Sequence, residues 1–226
     1  MTDNPYFTPE FFTFFRDLAK NNDRDWFAAN KERYEGVVVA PSLQFVRDAG
    51  LQLKKISPYL VADAKPFGGS LSRIYRDTRF SRDKSPYKTH VGIHFWHGKA
   101  QGPEHMAPGL MLHLEVGGSG AYSGSWHPDP SVLKKIRTRI VTEPEAWKQV
   151  LKARLDLEGE SVSRPPPGFD PEHPLIRDLK RKDFVASRVF RDAEVTRPDF
   201  LEAFVKACQG MDPLNRFLAD AVGLPW

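Results

Sequence analysis

The chain has 226 residues, 40% hydrophobic and 27% charged, which excludes a disordered polymer and suits a globular core drawing on its 16 Phe and five Trp. Its single cysteine, Cys208, excludes an intrachain disulfide and any zinc site built from several thiolates. No apolar run approaches the ~20 residues of a membrane-spanning helix, and a net charge of +4 is by itself too small to mark a nucleic-acid binder.

The first residues, Met1 to Pro5, lack the cationic start and apolar stretch of a signal peptide. The expectation is a soluble, cytoplasmic protein. Helices come first along the chain. Thr8 is placed to cap and Pro9 to open a helix whose apolar stripe is Phe11, Phe12, Phe14, Phe15 and Leu18. Asn22 or Asp23 starts a second, through Trp26, Phe27 and Tyr34. Pro41 marks a kink or a fresh start before Leu43, Val46, Ala49, Leu53 and Ile56.

The pattern changes at Gly68-Gly69. Strand-like segments follow at Leu71 to Arg76, Thr89 to Trp96, Leu110 to Val116 and Ala121 to Trp126, separated as in an antiparallel meander. Val91, Ile93 and Phe95 share one face, as do Leu110, Leu112, Leu114 and Val116. The opposite faces collect His90, His94, Trp96, Met111, His113, Glu115, Tyr122 and Trp126. Asp129-Pro130 opens another helix, and Thr142 to Glu145 has capping-box spacing before Trp147. Residues 164–174 hold five prolines and read as a surface connector, because only ~50 residues follow, few for a second core. Phe184 to Phe190 adds a strand. Thr196-Arg197-Pro198-Asp199 and Asp212-Pro213 start two closing helices. The expected fold is therefore a single α+β domain over residues 1–226, with a central antiparallel sheet of about four to five strands. Helices from both chain ends cover one face.

The charge is concentrated. Between Arg73 and Lys88 six cations (Arg73, Arg76, Arg79, Arg82, Lys84, Lys88) face only Asp77 and Asp83, a local excess of +4, while the other 27 basic and 27 acidic residues cancel. Guanidinium forks suit phosphate or carboxylate. One reading makes Arg73, Arg76, Arg79, Lys84, Tyr87 and Lys88 the binding set for an anionic small molecule or nucleotide, either simply bound or turned over. A nucleotide ring would stack on Tyr87 or on the Trp96/Trp126 face. In the other reading Asp77 and Asp83 are structural partners that pin the loop, and the charge serves a non-enzymatic nucleic-acid- or protein-binding module. On a regular strand Arg73 and Arg76 point to opposite faces, so convergence requires the strand to end or bulge near Arg76.

The run R-x-x-R-D-x-R-F from Arg73, followed by D-K-x-P-Y-K at residues 83–88, resembles the signature of a bacterial and fungal family of conserved domains of unknown function. The likeness extends to Asn22, Arg24, Trp26, Phe27, Asn30, Lys31 and Tyr34, to Tyr122 with His127-Pro128, and to His173-Pro174 through Phe184. It implies one domain of about this length and no particular activity.

Histidines offer a rival site. His90 and His94 would lie ~13 Å apart on one strand, too far to share an ion. His94 and His113 are expected as cross-strand neighbours with Glu115 beside them, and His113-x-Glu115 with the distant His173 mimics a two-histidine, one-carboxylate iron site. Such short patterns arise by chance. No metal and no cofactor is expected, and Cys208 reads as a buried, inert thiol.

Overall fold

The structure, a computed structural model, describes residues 5–100 and 107–226. The first helix, α1 (Pro9–Lys20), buries the Phe11, Phe12, Phe14, Phe15 and Leu18 stripe, and Pro9 occupies its first turn. Thr8 sits at the cap position without making a capping bond. At α2 (Arg24–Ala29) the cap is real, the Asp23 carboxylate accepting from Trp26 N at 2.9 Å. A short α3 (Lys31–Tyr34) runs into a π-helical turn, Glu35–Val39, and directly into α4 (Ala40–Leu53). Pro41 thus does not restart the chain. Its ring would crowd the Val37 carbonyl of a regular helix, and the wider π turn lies where that carbonyl must move aside.

Six strands form one antiparallel sheet in the order β1-β2-β3-β4-β6-β5. They are β1 (Leu60–Val61), β2 (His90–His97), β3 (Gly109–Glu115), β4 (Ser119–Ser125), β5 (Asp156–Glu158) and β6 (Phe184–Phe190). The count exceeds the sequence reading because β1 and β5 are too short to show alternation. Conversely, Leu71 to Arg76 is not a strand. An isolated bridge, Leu71 to Ile93, ties it to the sheet, while a second, Tyr75 to Tyr87, joins it to the returning arm of its own loop. Its buried positions are Leu71 and Ile74, three apart, which no two-residue pleat can supply.

Between β4 and β6 lie α5 (Pro130–Thr142), α6 (Pro144–Lys152), β5 and α7 (Ile176–Leu179); α8 (Asp192–Val195) and α9 (Phe200–Ala221) close the chain. The expected capping box is absent, since Thr142 ends α5 and Glu143 instead bonds Arg139 at 3.0 Å. The two closing helices are one, with Pro213 inside it. Phe200, Phe204, Cys208, Met211, Leu214 and Leu218 continue one buried face across the proline, and that burial outweighs one lost backbone bond.

All of this positions the two faces of the sheet. Val91, Ile93, Phe95, Leu110, Leu112, Leu114, Phe184 and Ala186 are sealed beneath α9 and α4 in one core cluster that reaches from Phe7 to Leu218 and takes in the α1 stripe. Each large apolar side chain there contributes about 1.5–3 kcal/mol. The alternate residues stay partly open. Among the described residues no helix is long and apolar enough to cross a membrane.

Candidate functional site

The 73–88 segment is a loop whose two arms are tied to each other. Arg76 N donates to Pro86 O at 2.9 Å and Lys88 N to Ile74 O at 2.8 Å. Asn22, just ahead of α2, clamps it from outside: Nδ2 donates to Tyr87 O at 2.9 Å, and Tyr87 N donates to Oδ1 at 3.1 Å. The Tyr87 ring stacks on Phe27 at 4.1 Å, with Tyr75 against it at 5.5 Å. Aromatic packing and a two-bond amide clamp therefore fix the loop beside α2.

Its charges divide into three groups. At the tip, the Arg79 guanidinium donates to both Asp77 carboxylate oxygens, at 3.0 and 2.7 Å, holding that carboxyl below its ordinary range. Arg79 and Phe80 there are exposed, Phe80 at 95%. In the middle, Asp83 accepts from the Ser85 hydroxyl at 2.6 Å, from Ser85 N at 2.9 Å and from Arg76 Nη1; Ser85 and then Arg76 hold it well below the usual carboxylate range. Lys84 Nζ donates to Thr78 O at 2.8 Å. At the base, Lys88 is half-buried, and burial followed by the neighbouring Arg73 lowers its ammonium.

Only the middle group lines a depression. A concavity of about 610 Å³ between α2 and the loop is lined by Asn22, Asp23, Arg24, Tyr75, Arg76, Thr78, Lys84, Pro86 and Tyr87. Of the residues picked from the sequence, Arg76, Lys84 and Tyr87 meet there, while Arg73, Arg79 and Lys88 do not. Arg24 and Tyr75 complete the lining. Arg76 spends Nη1 on Asp83 and Ser85 O, which leaves Nε and Nη2 without a partner among the described residues.

The open sheet face carries a second cavity, of about 870 Å³. The histidines are not arranged as expected. Register sets His113 opposite Gly92 and His94 opposite Met111, so these two are diagonal, not paired. Instead His90 and His113 approach with ring centroids 4.7 Å apart, and His113 Nε2 lies 3.1 Å from Glu115 Oε2. Burial, and then His113, lowers the His90 imidazole. His173 is occupied elsewhere, its Nδ1 accepting from Leu175 N. Among the described residues no three His, Cys, Asp or Glu side chains are grouped to hold a metal ion. Cys208 is fully buried, and burial pushes its thiol up.

A family model described as conserved hypothetical protein (DUF2461) matches residues 10–217. The chain belongs to the DUF2461 family. Comparison with curated proteins and with solved structures finds no match. The DUF2461 match runs from α1 into α9 and so takes in the loop, the concavity beside it and the open sheet face.

Two residues of this DUF2461 chain fall within the likeness read from the sequence but were given no role there. Arg24 lies far upstream of the basic run, and only its place one residue after the Asp23 cap hinted that it would stand at the mouth of a helix. Asp183 is fully buried, accepting from His127 N at 2.8 Å and Glu160 N at 2.9 Å, with His127 Nδ1 at 3.1 Å. The chain makes room for it at Gly159 (φ +105°), where a Cβ would stand 2.3 Å from that of Asp183.

Proposed function

We propose that this is a cytoplasmic protein that binds an anionic small molecule, bearing phosphate or carboxylate, in the concavity between α2 and the 73–88 loop. The supporting observation is the lining itself, in which Arg24, Arg76 and Lys84 stand against Asp23 alone. The Asp23 carboxylate is already engaged in capping α2. Arg24 has no hydrogen-bond or ion-pair partner among the described residues, and Arg76 keeps half its fork free. Cations gathered in this way repel one another until an anion arrives, so a ligand stabilises the fold as it binds. The Arg79–Asp77 pair does not line the concavity, and the Arg76–Asp83 contact shapes the loop that presents the site.

Thermal melts of the full chain against inorganic phosphate, nucleotides and small dicarboxylates test this. A stabilising shift that grows with ligand concentration is expected, lost in Arg24→Ala and Lys84→Ala and kept in Arg79→Ala. No shift with any anion in the wild type ends the reading. Binding to oligonucleotides alone, falling steeply as salt rises, would make the loop a nucleic-acid module instead.

A further inference from the structure

The 870 Å³ cavity on the open sheet face shares no residue with the anion concavity, and its lining has the opposite character. Among its described residues there is no Lys or Arg, while Glu115 and Glu158 both reach it. A phosphate or nucleotide would enter against two carboxylates with no cation to offset them.

The lining thus disfavours an anion, and the polar groups state what the ligand offers. Carboxylates only accept hydrogen bonds, so the ligand must donate. The Tyr122 hydroxyl has no hydrogen-bond partner among the described residues. Its strand, β4, lies between β3, which carries Glu115, and the β6-β5 edge, which carries Glu158. Burial, then Glu158 and Glu115, raise the Tyr122 phenol. It stays protonated and can donate to, or accept from, a ligand hydroxyl. Aromatic surface is present too: Trp126 is 51% exposed, and Trp96 lines the same cavity. Phe95 pairs with Leu110 and His90 with Glu115, so Trp96 and Glu115 stand at opposite ends of β3, about 20 Å apart along the strand. Indoles and acceptor-only carboxylates spread along one cleft match a chain of pyranose rings, each with a C–H face to stack and hydroxyls at its rim to donate.

A quaternary ammonium ligand also likes aromatic faces near carboxylates. Here each carboxylate already has a neighbour, Glu115 with His113 at 3.1 Å and Glu158 with the Ser187 hydroxyl, which lessens the demand for a cation. The cavity is also far larger than a methylammonium cage; about 300–1,000 Å³ is the range that encloses a whole organic ligand. From these observations we infer that the open face of the sheet is a binding cleft for a neutral saccharide, stacked on Trp126 and Trp96 and hydrogen-bonded by Glu115, Glu158 and Tyr122.

Ligand-observed saturation-transfer NMR on the full chain tests this with neutral mono- and oligosaccharides, glucuronate, free purine bases and choline. Saturation of a neutral saccharide is expected, stronger than that of glucuronate. Trp126→Ala, at an exposed position that leaves the core intact, should abolish it, and Glu158→Gln should weaken binding by about ten-fold or more. Thermal melts would confirm that both variants fold. No neutral saccharide bound by the folded wild type, saccharide binding untouched by both variants, or binding of purine or choline in place of saccharide would each overturn the inference.

Discussion

The two faces of the sheet are made by the same strands and obey opposite rules. On β2, Val91, Ile93 and Phe95 are almost fully buried, while their neighbours His90, His94 and Trp96 are only half so. On β3 the same alternation sets Leu110, Leu112 and Leu114 against Met111, His113 and Glu115. One face has been given to α9 and α4 and carries the stability. The other has no helical cover among the described residues and collects imidazoles, carboxylates, a phenol and indoles. One packed and one solvated face is the ordinary economy of an antiparallel sheet, and the solvated face here gathers the acceptor and aromatic groups on which the saccharide proposal rests.

Truncation gives the sharpest contrast. Leu112→Ala, at a fully buried position, should cost about 2–5 kcal/mol by urea unfolding, whereas Met111→Ala, one residue along and facing the cleft, should cost under about 1 kcal/mol. Equal losses would mean that both faces carry the core. The next largest effect tests whether the rim between the faces rests on Asp183. Asp183→Ala frees the His127 and Glu160 amides together and should cost about 2–4 kcal/mol. An unchanged unfolding midpoint would show that the turn holds itself.

The smallest effect is pH-dependent and has opposite sign on the two sides. Tyr34, packed among Phe14 and Phe27 on the helical side, is pushed up to about 12, chiefly by burial. Its folded value exceeds its unfolded one near 10, so its contribution is complete below about pH 10 and is lost as pH rises towards 12. His90, on the open face, is lowered. Its contribution is complete above its unfolded value of about 6.5 and is lost as pH falls through the folded one. Tyr34→Phe should flatten the alkaline arm of a stability–pH curve and His90→Gln the acidic arm. Arms that do not move would remove burial as the cause of either shift.

Much of this was legible in the sequence wherever burial follows a simple period. The α1 stripe, the β2 to β4 alternation and the helices over one face all have such periods. Leu71 to Arg76 misled because its apolar residues are spaced for a strand only if Ile74 is ignored. Asp212-Pro213 misled because a proline signals a start locally, while the apolar stripe that overrides it runs on both sides. The basic segment was legible as charge but not as direction: nothing in Arg73-x-x-Arg76 says that Arg76 lines the concavity beside α2 and Arg73 does not. Arg24 beside Lys84, and Glu158 near Tyr122, are meetings made by tertiary path and strand order, and no local pattern records them.

The order β3-β4-β6-β5 also has a consequence in time. β4 finds its second neighbour only when β6 exists, after α5, α6, β5 and the proline-rich connector have been made, and the core face of β3, β4 and β6 waits for α9. At about 5–20 residues per second a ribosome takes several seconds to pass from β4 to the end of α9. During that interval Leu112, Leu114 and Phe184 have no lid, and the half-built sheet presents the apolar side that chaperones recognise. The open face needs no such protection, since its polar residues are wetted from the start.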